Sequence, residues 1–277
     1  MRALFDIGGT HIRIGVAKTF DTLDNSVIVH TPQDFFEGMD VLIKNIQELA
    51  KGEKITAVAG GIAGPLDSPK NMLVSSPNLP LWVGKPITAT ISEKLKAPVF
   101  LQNDAAMGGL GEAVYGAGKG KSIVAYLAVG TGVGGVRIVD GKIDMNVNGF
   151  EPGHQIIVID GKEDACGPKG HLEAYISGKA LKALHGKAPE DIVDSAVWHE
   201  VARFLAIGLN NTIVHWSPDV VVLTGSVGLH IPLDVVTEYL STLMTIFPTL
   251  PQIVYGTLAK LSGLYGSLQY LKTQEQA

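Results

Sequence analysis

Cysteine occurs once in the 277 residues, at Cys166, which excludes an internal disulfide and fits a reducing compartment. Charged residues are scarce at 18%, and the 22 basic side chains are outnumbered by 27 acidic ones, for a net charge of -5. The chain therefore lacks the basic face that phosphate-backbone contacts require, and nucleic acid is not expected as a partner. No apolar run reaches 18 residues, so no membrane-spanning helix is expected. The opening MRALFDIGG has a strand pattern where a signal peptide would carry an apolar core and a cleavage site. The expected setting is the cytoplasm.

Glycine, by contrast, is plentiful: 33 residues, about 12% where ~7% is ordinary. It falls in short clusters between apolar runs, without the three-residue period of collagen. Clustered glycine lets backbone approach backbone or a ligand closely. Hydrophobic residues make up 46%, which excludes disorder and supplies a sizeable core.

The length suits two lobes, since domains usually run ~100–200 residues. Residues 3–6 form an apolar run, Gly8-Gly9-Thr10 a turn, and Ile12, Ile14 and Val16 alternate as a strand does. Met39, Leu42, Ile43, Ile46 and Leu49 share one face of a helix. Residues 55–59 predict a buried strand running into a loop at 60–65, followed by a helix over 86–96 and a strand over 98–102. Asn103-Asp104 then stands at a strand's carboxyl end, before a small-residue helix to about Tyr115. At Ser122 the pattern restarts as apolar run, Gly130-Thr131-Gly132 turn and apolar run, a weak internal repeat. Trp198, Val201, Ala202, Leu205, Leu209 and Ile213 keep helical spacing, and residues 219–223 predict a strand buried on both faces. These divisions predict a small lobe over 1–117, completed by a C-terminal helix over about 260–277, and a larger lobe over 118–259. Gly60, Gly61, Gly64 and the stretch 116–120 are the expected hinges.

Two motifs are decoys. The run 116–122 resembles a P-loop, but Tyr115 stands where its first glycine belongs, and it opens a strand instead of a helix. Gly130, Gly132 and Gly135 satisfy G-x-G-x-x-G without the helix that a dinucleotide fold needs. A tight turn still makes an anion nest from backbone N–H groups. Asp6-Ile7-Gly8-Gly9-Thr10 adds a carboxylate beside such a turn, suited to hydrated Mg²⁺ and phosphate, the alternative being an ordinary turn with an incidental Asp. Asp104 is the candidate general base, with a helix N-cap as its structural alternative.

The segments DIGGTHIRIGV, GGIAGPLD, SPNLPLWVGKPI, LQNDAAMGGLGEAVYGAG, AVGTGVGGVRIVDGKI, EPGH and CGPKGHLEAYISG occur in the order seen in the ROK (repressor–ORF–kinase) family of sugar kinases, which the chain resembles from Arg2 to about Gly178. The resemblance implies an α/β, actin-like ATPase fold: two ribonuclease-H-like lobes with a cleft between them. It implies transfer of the γ-phosphoryl of ATP to a hexose hydroxyl, with glucose the first expectation and fructose, mannose or N-acetylhexosamines behind it. By the same resemblance Asp104 is the base, and Asn78, Asn103, Glu151, His154 and Glu173 bind the sugar. Asp6, Gly8, Gly9, Thr10, Gly130, Thr131 and Gly132 hold phosphate and Mg²⁺, and Gly225 begins the adenosine turn. A homodimer is the assembly that relatives suggest. The family's repressors carry a DNA-binding helix-turn-helix ahead of the kinase-like part, for which Asp6 leaves no room; a sugar-binding protein without turnover is the other alternative.

The family's zinc frame departs here. Its first and last cysteines are Asp164 and His171, with His154 and Cys166 kept. Zinc accepts Asp oxygen and His nitrogen as well as Cys sulfur, so the set suits structural Zn²⁺; otherwise hydrogen bonds and packing hold the loop. His11 stands where the family often has Lys and is expected to face solvent. Trp82 is expected in the core, with packing under a sugar edge as the alternative.

Overall fold

Arg2–Ile7 (β1) and His11–Ala17 (β2) form an antiparallel hairpin in which Ile7 faces Ile12 and Asp6 faces Arg13. The computed structural model describes residues 1–164 and 166–276; Ala165, inside the zinc frame, and Ala277 lie outside the described residues. The chain divides into two units, one of Met1–Gly116 with the segment that starts at Leu258, the other of Ala117–Thr257.

In the first unit, β1 is central in a five-stranded sheet. Asn25–His30 (β3) lies at one edge, and Ala57–Ile62 (β4) and Val99–Asn103 (β5) add in parallel on the other side. Central strands flanked on both faces carry continuous apolar runs, and β1 is buried from Ala3 to Ile7. Phe35–Ala50 (α1), capped by Asp34 accepting from the Glu37 N–H, and Ile87–Leu95 (α2) cover one face. Trp82 is wholly buried in that layer, its indole N–H donating to the Gln33 carbonyl, so it is a core residue. Asp104–Val114 (α3) and the C-terminal Ser262–Glu275 (α8) pack backbone to backbone. A Cβ at Gly111 would stand 2.1 Å from the Ser262 carbonyl oxygen, and one at Gly266 only 1.7 Å from that of Met107.

One expectation fails here. Strand β4 begins later than the sequence pattern predicts and includes Gly60 and Gly61, which are not in a loop. A Cβ at Gly60 would lie 2.2 Å from the Phe5 ring, and one at Gly61 3.0 Å from the Asp104 Cα. Glycine is present because neighbours crowd the strand, and positions paired on both sides in mid-sheet are not hinges.

The second unit repeats the plan. Ile123–Val129 (β6) and Val133–Val139 (β7) form a hairpin, Lys142–Ile143 (β8) extends it, and Val220–Thr224 (β9) and Gln252–Tyr255 (β10) add in parallel. The strand orders β3-β2-β1-β4-β5 and β8-β7-β6-β9-β10 correspond, so the faint sequence repeat is a repeat of topology. Between β8 and β9 come Glu173–Ile176 (α4), Gly178–His185 (α5) and Ser195–Trp216 (α6). Leu233–Leu243 (α7) precedes β10. Helix α6 buries Trp198, Val201, Leu205, Leu209 and Ile213, the stripe its spacing predicts. Two mixed α/β units built on one plan are the actin-like, ribonuclease-H-like fold. Among the described residues no helix is long and apolar enough to cross a membrane.

Candidate functional site

Register decides what meets at the rim of the first sheet. Ile7 pairs with Ile62, and Ile62 with Asn103, so the parallel strands β1, β4 and β5 end level. With neighbouring strands ~4.8 Å apart, the Gly8 turn and Asp104 emerge within about 10 Å of each other. Ligands of open α/β sheets bind at such carboxyl ends. The turn is fixed by the Gly8 N–H donating to the His11 carbonyl and the Thr31 hydroxyl donating to that of Gly8. Asn78 lies against it: a Cβ on Gly9 would stand 2.7 Å from the Asn78 Cβ. Thr10 and Asn78 are exposed, as is His11.

Asn103 closes β5 and is itself the N-cap of α3, its Oδ1 accepting from the Ala105 and Ala106 N–H groups. The N-cap alternative for Asp104 is thereby corrected. Asp104 is the first residue within the helix, half-buried, with Oδ1 accepting from the Ala105 N–H at 2.9 Å. A helix N-terminus favours negative charge at that position. The Asn103 amide donates to the Gly64 carbonyl.

Asp6 sits one step below the rim, buried within β1. Burial pushes its carboxyl up, while Arg13, donating to Oδ2 at 3.0 Å, draws it back. Arg13 is a contributor that the motif did not reveal; the signal was opposite charges at mirrored positions around the hairpin turn.

In the second unit the Gly130–Gly132 turn is closed by the Gly130 N–H donating to the Gly132 carbonyl, and the Gly178 N–H donates to the Gly130 carbonyl. Thr131 is exposed at its tip. Glu173, first in α4, accepts from the Val133 N–H at 2.6 Å, and a Cβ on Gly132 would collide with its Oε2. Glu173 therefore ties the turn to the start of α4. Glu151 feels it: desolvation and the Glu173 carboxylate push its acid up, against the opposing pull of His154. The Glu151–His154 segment rests on β7, where a Cβ on Gly153 would stand 2.2 Å from the Val133 carbonyl oxygen. Gly225 follows β9 at φ +90°, its would-be Cβ 2.2 Å from the Val129 carbonyl oxygen, so backbone crowding alone demands glycine there. Gly130 differs, for nothing lies within 4 Å of a Cβ built on it. If that space serves a phosphate group, Gly130→Ala will leave the melting temperature unchanged while raising the KM for ATP by about 10-fold, the cost of one lost charge-assisted contact.

His154, Asp164, Cys166 and His171 converge. From His154 Nδ1, the distances are 3.3 Å to His171 Nδ1, 3.4 Å to Asp164 Oδ2 and 3.6 Å to Cys166 Sγ. Asp164 Oδ2 stands 2.9 Å from His171 Nδ1 and 3.1 Å from Cys166 Sγ, which is 3.5 Å from His171 Nδ1. Donors held at ~2.0–2.3 Å around one tetrahedral Zn²⁺ stand ~3.3–3.6 Å apart, and the six edges match that within a few tenths of an ångström. The packed loop and Asp164 push the Cys166 thiol up to about 11, a bias that a bound cation reverses. Gly170 at φ +82° closes the loop, with a would-be Cβ 1.8 Å from the Val158 carbonyl oxygen. Nδ1 of His154 turns into the cluster, which leaves the ring's Nε2 outside it.

A model of the ROK family matches residues 3–274 of the chain. A glucokinase of Thermotoga maritima is 31% identical over 185 residues, 64% of this chain and 57% of that enzyme, so the chain spans less than two thirds of the length of this curated relative. Among solved structures, the ROK hexokinase from Thermus thermophilus superposes with a TM-score of 0.88 at 29% identity, over 99% of both chains. A ROK family glucokinase from Streptomyces griseus, in complex with glucose and AMPPNP, gives 0.81 at 25% identity over 97% of this chain and 98% of that one.

Proposed function

The chain belongs to the ROK family, and from that premise we propose that it is an ATP-dependent sugar kinase acting on a hexose, with glucose as the acceptor and its 6-hydroxyl as the attacking group. The observation that carries this reading is the level ending of β1, β4 and β5, which sets a glycine turn, Asn103 and Asp104 on one rim, with Asn78 packed against the turn. Similarity to two glucokinases is the ground for taking glucose first among the hexoses.

Phosphoryl transfer asks for positioning, charge neutralisation and a proton acceptor. Asp104 takes the hydroxyl proton as the sugar oxygen bonds to the γ-phosphorus, and the bond to the β-phosphate oxygen breaks to release ADP. Asn103, Glu151, His154 and Glu173 hold the sugar, since amides, carboxylates and imidazole meet hydroxyl groups as donors or acceptors. Backbone N–H groups at the tips of the two turns, at Gly9 and Thr10 and at Thr131 and Gly132, hold phosphoryl oxygens; those of Gly8 and Gly130 close the turns, and Gly225 opens the turn assigned to adenosine. Mg²⁺ accompanying ATP supplies charge neutralisation, with Asp6 as the carboxylate suited to its hydration shell. Zn²⁺ fits the His154–Asp164–Cys166–His171 cluster as a structural ion. These four side chains would hold such an ion with all four tetrahedral positions filled by protein, and it would brace the loop behind His154 and supply no chemistry to the transfer.

The test is a coupled assay of ADP release with glucose, fructose, mannose and N-acetylated hexosamines, alongside calorimetric sugar binding. ADP release fastest with glucose is the expected result. Sugar binding without ADP from any acceptor would replace the kinase by a binding protein.

A further inference from the structure

Glu112 is a fully buried carboxylate in a helix that, after Asp104, is otherwise built of small and apolar residues, and no step of the proposed reaction uses it. A carboxylate without exposure is costly unless it is hydrogen-bonded, so its retention calls for a structural partner. One partner is 146 residues away: the Leu258 N–H donates to Glu112 Oε1 at 2.9 Å. The other carboxylate oxygen occupies the place of a side chain at Gly116, where a Cβ would stand 2.1 Å from Oε2. Gly116 is the last residue before the chain leaves the first unit, and Leu258 is the first after it returns. One side chain therefore touches both connections.

Its surroundings are rigid. Helices α3 and α8 meet backbone to backbone at Gly111 and Gly266. Next to the Leu258 bond, Ala259 holds φ +50°, a left-handed conformation that persists in a non-glycine residue only where neighbours enforce it. Asp104 begins the helix on which Glu112 lies eight residues further along, about 12 Å away along its axis. We infer that Glu112 is a positioning residue which clasps the outgoing and returning connections to the α3–α8 pair, so that both are anchored to the helix bearing Asp104. Its link to turnover rests on the proposed kinase reading; the clasp itself does not.

The test follows the connections directly. Lys119, Lys121 and Lys260 are exposed trypsin sites just beyond them. In Glu112→Ala, cleavage at these three sites and amide exchange in peptides containing Leu258 are expected to rise at least ~10-fold, with exchange of β1 and β4 unchanged. Glu112→Gln, which keeps an oxygen for the Leu258 N–H, should restore most of the protection. Gly116→Ala should reproduce the exposure by displacing the carboxylate. If the wild type turns over, kcat should fall in Glu112→Ala more than the sugar KM changes. A folded Glu112→Ala with wild-type cleavage and exchange overturns the inference. Should that variant fail to fold, wild-type protection in Gly116→Ala overturns it. An inactive wild type removes only the kinase reading, and leaves the proteolysis and exchange to decide.

Discussion

Asp104→Asn is expected to lower kcat by about 100-fold or more, with the sugar KM changed only a few-fold, because a positioned general base contributes ~10²–10⁴. The substitution is isosteric, and an asparagine oxygen can still accept from the Ala105 N–H as Asp104 Oδ1 does. A purely structural role predicts something else. A carboxylate in a helix's first turn contributes ~0.3–1 kcal/mol, and the cap itself belongs to Asn103, so the variant would lose at most a few degrees of melting temperature. Steady-state kinetics beside a thermal melt separate the two: near-normal turnover removes Asp104 as the base, and a large fall in kcat with an intact melt supports it.

The second large effect is expected at the metal cluster. Purified protein should carry about one zinc per chain, and Cys166→Ala should reduce this to below ~0.1, since a missing ligand or partner typically costs 10–100-fold or more in affinity. The sugar KM should then rise by roughly 10–100-fold, because His154 belongs to the cluster and Glu151 lies three residues before it. Metal should also leave as pH falls, for cysteine and histidine bind it only when deprotonated. Metal analysis by mass spectrometry, paired with kinetics, checks both statements. Sub-stoichiometric zinc in a fully active protein would end the metal assignment and leave the four side chains as a hydrogen-bonded staple.

Much of this protein is legible in local pattern. The stripe Met39, Leu42, Ile43, Ile46 is α1, the spacing from Trp198 to Ile213 is α6, and the unbroken valines are β9. Both glycine turns stand between strands, and the G-x-G-x-x-G decoy lacks its helix because Val133–Val139 is β7. Periods of two and 3.6 residues, and turn chemistry, are properties of a short window, so a short window reveals them. The short edge strands β3, β8 and β10 left little pattern because they are half-exposed.

Other facts belonged to no window. That Gly60 and Gly61 are strand residues depends on the Phe5 ring and on Asp104 lying across from them. That Asp164 and His171 still converge with His154 and Cys166 depends on a loop folding to within a few tenths of an ångström. That Arg13 holds Asp6, that Glu112 meets Leu258, and that three strands end level are matters of register and crossover between distant segments. Amino-acid order sets which face each element buries. Which element lies opposite is settled only when the sheets close and their long connections return, and the rim that carries Asp104 exists only after that step.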